Sequence, residues 1–417
     1  MLSPALSEWR DQMTDAAIFS GNERRSVVHS LLFSRSFGGR PYLISPVVDT
    51  LMAGGGALIA LAVFWVVLPT RLGISRENVA SVAAVFAAVS YVVNYPHFMA
   101  SYGLLYGNLG ERMAGHSPRD LTWWRYAAAA YIVPIALVLF FIGVFLTRRI
   151  DLIGLSVQVM FFFVGWHYVK QAYGVFVVLS GMKGIIYTRW QVLALKLHVY
   201  SLWLYTWYIS GAVVLEGMSP QPMNFHNIRY DGLSLFKSKA LIDGLFWPVV
   251  ALAVAGWASI LWHWAETKKR PSISGLAGYT SMYTLLAFVS IHPLFAYAAP
   301  ALHSAQYLLF VYAYKRGEFH VGGEAAHMIG DPAKARPPWY RMLSYFLLIC
   351  ATGALFFDIL PLYFEAKGPR WGWGWPLLAT PIFHVFINVH HYFIDTAIWR
   401  RDNRSLGRYL FWRPDKA

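Results

Sequence analysis

Residues 381–400 read PIFHVFINVHHYFIDTAIWR. The stretch is apolar over about 20 residues, the length a helix needs to cross a bilayer. Four polar side chains interrupt it: His384, Asn388, His391 and Asp395, at intervals of four, three and four. On a helix with 3.6 residues per turn these lie on one face, and His390 flanks them. Polar groups exposed to acyl chains are costly, so this face is expected to turn into a helical bundle. A buried polar site and a hydrogen-bonded interhelical seam both fit the spacing.

The rest of the chain agrees with a membrane setting. Of its 417 residues 57% are hydrophobic and 13% charged, against roughly 25% charged in an ordinary globular protein. With 18 Trp, 25 Tyr and 28 Phe as well, so few charges cannot cover the apolar surface of a soluble fold. The composition excludes a disordered chain, a secreted disulfide scaffold and a cytosolic enzyme. The single cysteine, Cys350, sits in the apolar run LLICATG, which excludes intrachain disulfides and thiolate metal clusters. The net charge of +14 is read as basic cytoplasmic loops, not as nucleic-acid binding.

Apolar windows fall near 47–69, 79–106, 126–147, 152–180, 192–215, 244–265, 274–292, 296–314, 342–364 and 374–398. The expected fold is all-α: a polytopic integral membrane bundle of about ten transmembrane helices. Of the 35 Lys and Arg, 24 fall in the two tails and the loops on their side, nine in the opposite loops and two within spans. That bias places both termini in the cytoplasm. Residues 1–42 read as a cytoplasmic tail, 43–400 as the membrane domain and 401–417 as a basic tail. The connections 216–243 and 315–340 read as surface loops suited to short interfacial helices. The Trp-rich stretch 370–376 reads as an interfacial belt. Asp49, ahead of the glycine run at 54–56, is expected to cap the first span or reach a polar centre. Asp358 is expected to face a water-filled gap.

Polar residues recur at helical spacing in other spans. His167, Lys170, Gln171 and Gly174 share a face, as do Asn94, His97 and Ser101, with Pro96 breaking the ladder beside His97. His303, Gln306, Tyr307, Phe310 and Tyr314 line one side of another span. His198 stands alone and reads as a packing histidine, and His263 as interfacial. In a ten-span chain His97, His167, His303 and His391 lie on spans 2, 4, 8 and 10. All four therefore run in the same direction, and their imidazoles are able to converge on one intramembrane centre.

Several imidazoles without thiolate suit non-haem iron or zinc, and a carboxylate favours iron or manganese. The candidate metal ligands are His97, His167, His303, His384, His390 and His391. Asp395, Gln171 and Asn388 are candidates for catalytic or supporting roles, Asp395 as a ligand or as an acceptor fixing an imidazole tautomer. Tyr307 and Lys170 are candidates for substrate contacts. A metal in an aromatic-rich bundle implies an apolar substrate: a lipid, fatty acyl chain or isoprenoid. A centre near the cytoplasmic side can be served by a soluble electron donor.

Single histidines dispersed over several spans, here His97, His167, His303 and His391, resemble the bacteriorhodopsin-associated carotene dioxygenases, integral-membrane iron enzymes that cleave carotenoids. The resemblance implies imidazole-bound iron at those four residues. The His390–His391 pair is similar to the paired histidines of membrane fatty-acid desaturases and hydroxylases. HxxxH is absent from the sequence, however, and Asn388-Val389-His390-His391 stands where those enzymes carry HxxHH. Competing readings are haem held by two histidines such as His167 and His391, zinc hydrolysis with Asp395 as base, a proton-coupled transporter and a purely structural bundle.

Overall fold

A computed structural model of the chain describes residues 42–63, 85, 88–209, 224–226, 228–229, 239–287, 293–329, 338–368, 378–400 and 403–411. Nearly all of the N-terminal tail, the join between the first two windows, His29, His292, the Trp-rich stretch and the end of the basic tail lie outside these residues.

The first elements are α1 (Pro46–Thr50) and α2 (Gly56–Ala62), joined by a π-turn over Leu51–Gly55. Asp49 is fully buried and accepts the backbone N–H groups of Leu43 (2.5 Å), Ile44 (2.9 Å) and Ser45 (3.3 Å). It therefore fastens the entry of the first helix, satisfying amides that would otherwise be orphaned, and does not reach the histidines. Within the π-turn Gly54 leaves the helical region, and the Ala53 carbonyl is taken by the Gln306 side chain.

Next come α3 (Asn94–Tyr106), α4 (Leu109–Ala114), α5 (Leu121–Ala127), α6 (Val133–Thr147), α7 (Ile150–Gly181) and α8 (Arg189–Ile209). A second π-turn joins α5 to α6. α6 ends where Arg148 adopts a left-handed conformation (φ 56°) and returns its N–H to the last turn, a common helix stop. The chain continues with α9 (Lys239–Thr267), α10 (Ile273–Ala287), α11 (Pro293–Ile329), α12 (Pro338–Ala354), α13 (Leu360–Lys367), α14 (Ala379–Ile398) and α15 (Arg404–Leu410).

Four helical stretches are long and apolar enough to cross a membrane: Leu121–Thr147, Ile150–Gly181, Ala240–Thr267 and Trp339–Lys367. Their outward surfaces are apolar as well. Leu139 is 62% exposed, Leu146 74%, Val254 63% and Leu348 60%. That inversion of the soluble pattern requires a nonaqueous neighbour. α14 is long enough to span, but its histidines, Asn388 and Asp395 lower its hydropathy.

Two expectations for the connections change. Asn224–Phe225 and Ile228–Arg229 form a short antiparallel pair where interfacial helices were anticipated. Residues 315–329 continue α11 instead of forming a loop, because their charges find protein partners. Lys315 pairs with Glu318 at 2.6 Å, Arg316 donates to the Leu43 carbonyl at 2.9 Å, and Arg341 donates to the Phe319 carbonyl at 2.7 Å.

α14 is the hub. It packs against α3, α6, α7 and α13, and α3 in turn packs against α11 and α12. The largest apolar cluster joins these helices through Phe98, Leu104, Leu309, Phe310, Phe357 and Ile394. α3, α7 and α11, far apart in sequence, thus meet α14 through Ser101, His167 and Tyr307.

Candidate metal centre

The three histidines that converge come from three of these helices. His97 (α3), His167 (α7) and His391 (α14) are 1%, 4% and 0% exposed, and their ligand atoms lie within 4.8 Å of one another. His391 Nε2 is 3.2 Å from His97 Nε2 and 3.3 Å from His167 Nε2. Asp395, one turn beyond His391, places Oδ2 3.5 Å from His391 Nε2 and 3.6 Å from His167 Nε2.

The surrounding hydrogen bonds decide which nitrogens carry protons. His97 Nδ1 lies 2.7 Å from the Asn94 carbonyl. A carbonyl only accepts, so His97 is protonated at Nδ1. Ser304 Oγ, 2.9 Å away on the same side, gives its proton to Asn94 Oδ1. Ser101 Oγ donates to the Phe98 carbonyl at 2.6 Å, so toward His391 Nδ1, 2.8 Å away, it acts as acceptor. His391 is therefore protonated at Nδ1 too. The Nε2 atoms of His97 and His391 then face each other with lone pairs at 3.2 Å, a repulsion that a cation beside them, or a proton on His167 Nε2 3.3 Å from His391 Nε2, relieves. Anchoring Nδ1 so that Nε2 is free is how metal-binding imidazoles are oriented.

The spacing fits as well. Ligands about 2.0–2.1 Å from a tetrahedral metal are about 3.3 Å apart, close to the 3.2, 3.3, 3.5 and 3.6 Å seen between these atoms. The three imidazoles thus form a group able to hold a metal ion, with the Asp395 carboxylate beside two of them.

Asp395 is itself held. Its Oδ1 accepts the Tyr307 hydroxyl at 2.8 Å, and that hydroxyl receives the Trp399 indole N–H at 3.1 Å. Tyr307, a candidate for substrate contact, is 3% exposed and spends its hydroxyl proton on the carboxylate. Aromatic rings close the site. Phe98 lies 4.8 Å from the His391 ring and Tyr392 5.0 Å from the His167 ring.

His303 stands beside the three. It is 2% exposed, and its ring is 4.8 Å from His167 and 5.4 Å from His97. Both of its ring nitrogens are buried without a hydrogen-bond partner. Leaving such a group unmade costs about 1–3 kcal/mol, which coordination or a hydrogen bond to a bound group would remove.

The remaining candidates fall elsewhere. The structure does not bring His390 to the cluster. Its Nε2 donates to the Ala129 carbonyl at 2.8 Å and its Nδ1 accepts from Tyr102 at 2.9 Å, so no lone pair is left for a metal. His384 sits two turns away, with Nδ1 on the Thr380 carbonyl and its ring against His226 and Phe357. Asn388 links the His384 carbonyl to the Tyr392 hydroxyl. Gln171 donates to the His303 carbonyl and to Gln306 Oε1. Both amides brace helices without touching the three Nε2 atoms. Lys170 donates to Thr396 Oγ1 at 3.0 Å. Asp358 lies in the π-turn between α12 and α13, where Tyr91 and Tyr95 donate to it, and is not part of the three-histidine group.

Sequence reading missed Ser304, next to His303, and Trp399, next to Arg400. Serine and tryptophan are too common in spans to stand out. His198 is the packing histidine anticipated, held by Tyr279 at 2.8 Å and Tyr283 at 2.5 Å. His263 is buried against Gln191 and Tyr187. Neither a family model, nor a curated protein, nor a solved structure matches the chain.

Proposed function

We propose that this protein is a membrane-embedded oxygenase or oxidoreductase in which His97, His167, His391 and Asp395 hold a non-haem iron ion, with His303 beside it. The observation that carries this reading is the pair of inward lone pairs on His97 and His391, 3.2 Å apart, next to a carboxylate oxygen. Imidazoles with one carboxylate and no thiolate are the donor set of non-haem iron sites. Iron held there would supply activation of dioxygen.

The residues themselves do the rest. Asn94 and Ser101 fix the imidazole tautomers, Tyr307 orients Asp395, and Phe98 and Tyr392 keep bulk water from the ring edges. The substrate is an apolar chain of lipid, fatty acyl or isoprenoid type, delivered from the bilayer, and electrons come from a soluble donor. This fits ten spans with both termini in the cytoplasm.

Two alternatives fit less well. Haem needs a slot between its axial imidazoles, whereas these nitrogens are 3.2 and 3.3 Å apart with aromatic rings packed around them. Zinc hydrolysis needs a general base beside the metal, and Asp395 is already placed as a ligand.

Elemental analysis of purified protein tests the proposal. Stoichiometric iron in the wild type, lost in His391→Ala and His167→Ala, is the expected result. A wild type without stoichiometric metal, purified so that labile iron is retained, overturns it.

A further inference from the structure

We infer that Lys170 holds the anionic head group of an amphiphilic substrate, a carboxylate or phosphate, while the chain lies along an aromatic stripe on α7. This rests on the metal reading above and names the class of molecule that site takes.

The first support is position. Lys170 lies three residues beyond His167, about 4.5 Å along the helix axis, and its ammonium donates to Thr396, the neighbour of Asp395. A head group at Lys170 therefore puts the first carbons of its chain beside the metal ligands.

The second is unused donor capacity. An ammonium has three N–H donors. Thr396 spends its own proton on the Tyr392 carbonyl at 2.8 Å, so it accepts a single bond from Lys170. Among the described residues no carboxylate pairs with this lysine. Asp395 acts on it only at longer range and Arg400 adds further positive charge.

The third is charge balance. A divalent ion with Asp395 as its one anionic ligand keeps a net positive charge. Lys170, with no carboxylate paired to it among the described residues, raises that. Uncompensated charge within a bilayer is expensive, and an anionic oxygen group held at Lys170 would offset it.

The fourth is the wall. Phe163, Trp166 and Lys170 recur at intervals of three and four along α7, which makes one stripe. All three side chains are half-buried. The Trp166 ring lies 4.5 Å from the Lys170 ammonium, and Phe163 meets Phe393 of α14 at 6.0 Å. A cationic end on an aromatic strip matches an anionic head on an acyl chain.

Binding of radiolabelled oleate to the purified full-length protein in zwitterionic nanodiscs tests this, with oleyl alcohol and oleyl phosphate as competitors and metal content measured on every sample. Wild type is expected to bind oleate, with oleyl phosphate competing and oleyl alcohol competing at least tenfold more weakly. Lys170→Met is expected to lower oleate affinity about tenfold or more, the loss of one charge-assisted contact, with metal content unchanged, and Lys170→Arg to restore most of it. The relative strength of oleate and oleyl phosphate tells which head group is preferred. Equal competition by the alcohol, or unchanged oleate affinity in a metal-replete Lys170→Met protein, overturns the head-group assignment and leaves the metal centre standing. A wild type without metal overturns both.

Discussion

His97 and His391 are 294 residues apart in sequence, and their Nε2 atoms are 3.2 Å apart. Each imidazole gives its Nδ1 proton to the side away from the other, His97 to the Asn94 carbonyl and His391 to Ser101. Neither facing nitrogen then carries a proton for the other, and His391 Nε2 has His167 Nε2 as its second neighbour at 3.3 Å. On the proposed reading a bound cation turns the facing lone pairs into two coordinate bonds.

The metal should therefore stabilise the fold as well as bind to it. A ligand that binds only the folded state adds about 4 kcal/mol when present at a thousand times its Kd. Chelation of purified protein is expected to lower the melting temperature by several degrees, and the same treatment should leave His391→Ala unchanged. Equal shifts in both proteins would contradict the assignment.

The serines that orient the imidazoles should matter without being ligands. Ser101→Ala removes the acceptor for His391 Nδ1, and Ser304→Ala removes the hydroxyl shared by His97 and Asn94. Partners of this kind typically change metal affinity 10–100-fold. Metal titration of the two variants is expected to show weakening in that range, with helical circular dichroism retained.

Tyr307→Phe tests how Asp395 is positioned. The substitution keeps the ring that packs near His97 and His391 but removes the donor to Asp395 Oδ1. The carboxylate is then free to rotate. We expect metal affinity to fall by about tenfold and the ligand-field spectrum of a cobalt-substituted sample to change. Asp395→Asn should lower affinity further, because it removes the anionic ligand itself.

His198 provides a contrast. It is fully buried and held between Tyr279 and Tyr283, with Trp257 donating to Tyr283 at 2.8 Å. His198→Phe leaves buried hydroxyl groups short of a partner, at a cost of about 1–3 kcal/mol. A lower melting temperature with full metal content is the expected outcome, and loss of metal would show that the two polar clusters are linked.

Topology has its own test. A reporter fused after Arg270 is expected on the cytoplasmic side of a ten-span chain. A signal from the opposite face would invert the orientation.

Much of this arrangement is legible in the sequence. The histidines at helical spacing with other polar residues were a sound guide: His97, His167 and His391 meet, with His303 beside them. The stripe on α14 was a poorer guide over its full length. From His384 to Asp395 the helix advances about 16 Å, so its two ends meet different neighbours: Phe357 and His226 at one, His167 and Tyr307 at the other. His390, next to His391 in sequence, points about 100° away and is satisfied by Tyr102 and Ala129. The helical course of 315–329 was hidden because Lys315, Arg316 and Glu318 look solvated until their partners are known.

The central place of α14 has a consequence for biosynthesis. His97 and His167 emerge from the ribosome long before residue 391, and until the final helix inserts they have neither its imidazole nor its carboxylate beside them. On the proposed reading, loading with metal would wait for translation to finish, because a product terminated before residue 379 lacks both His391 and Asp395.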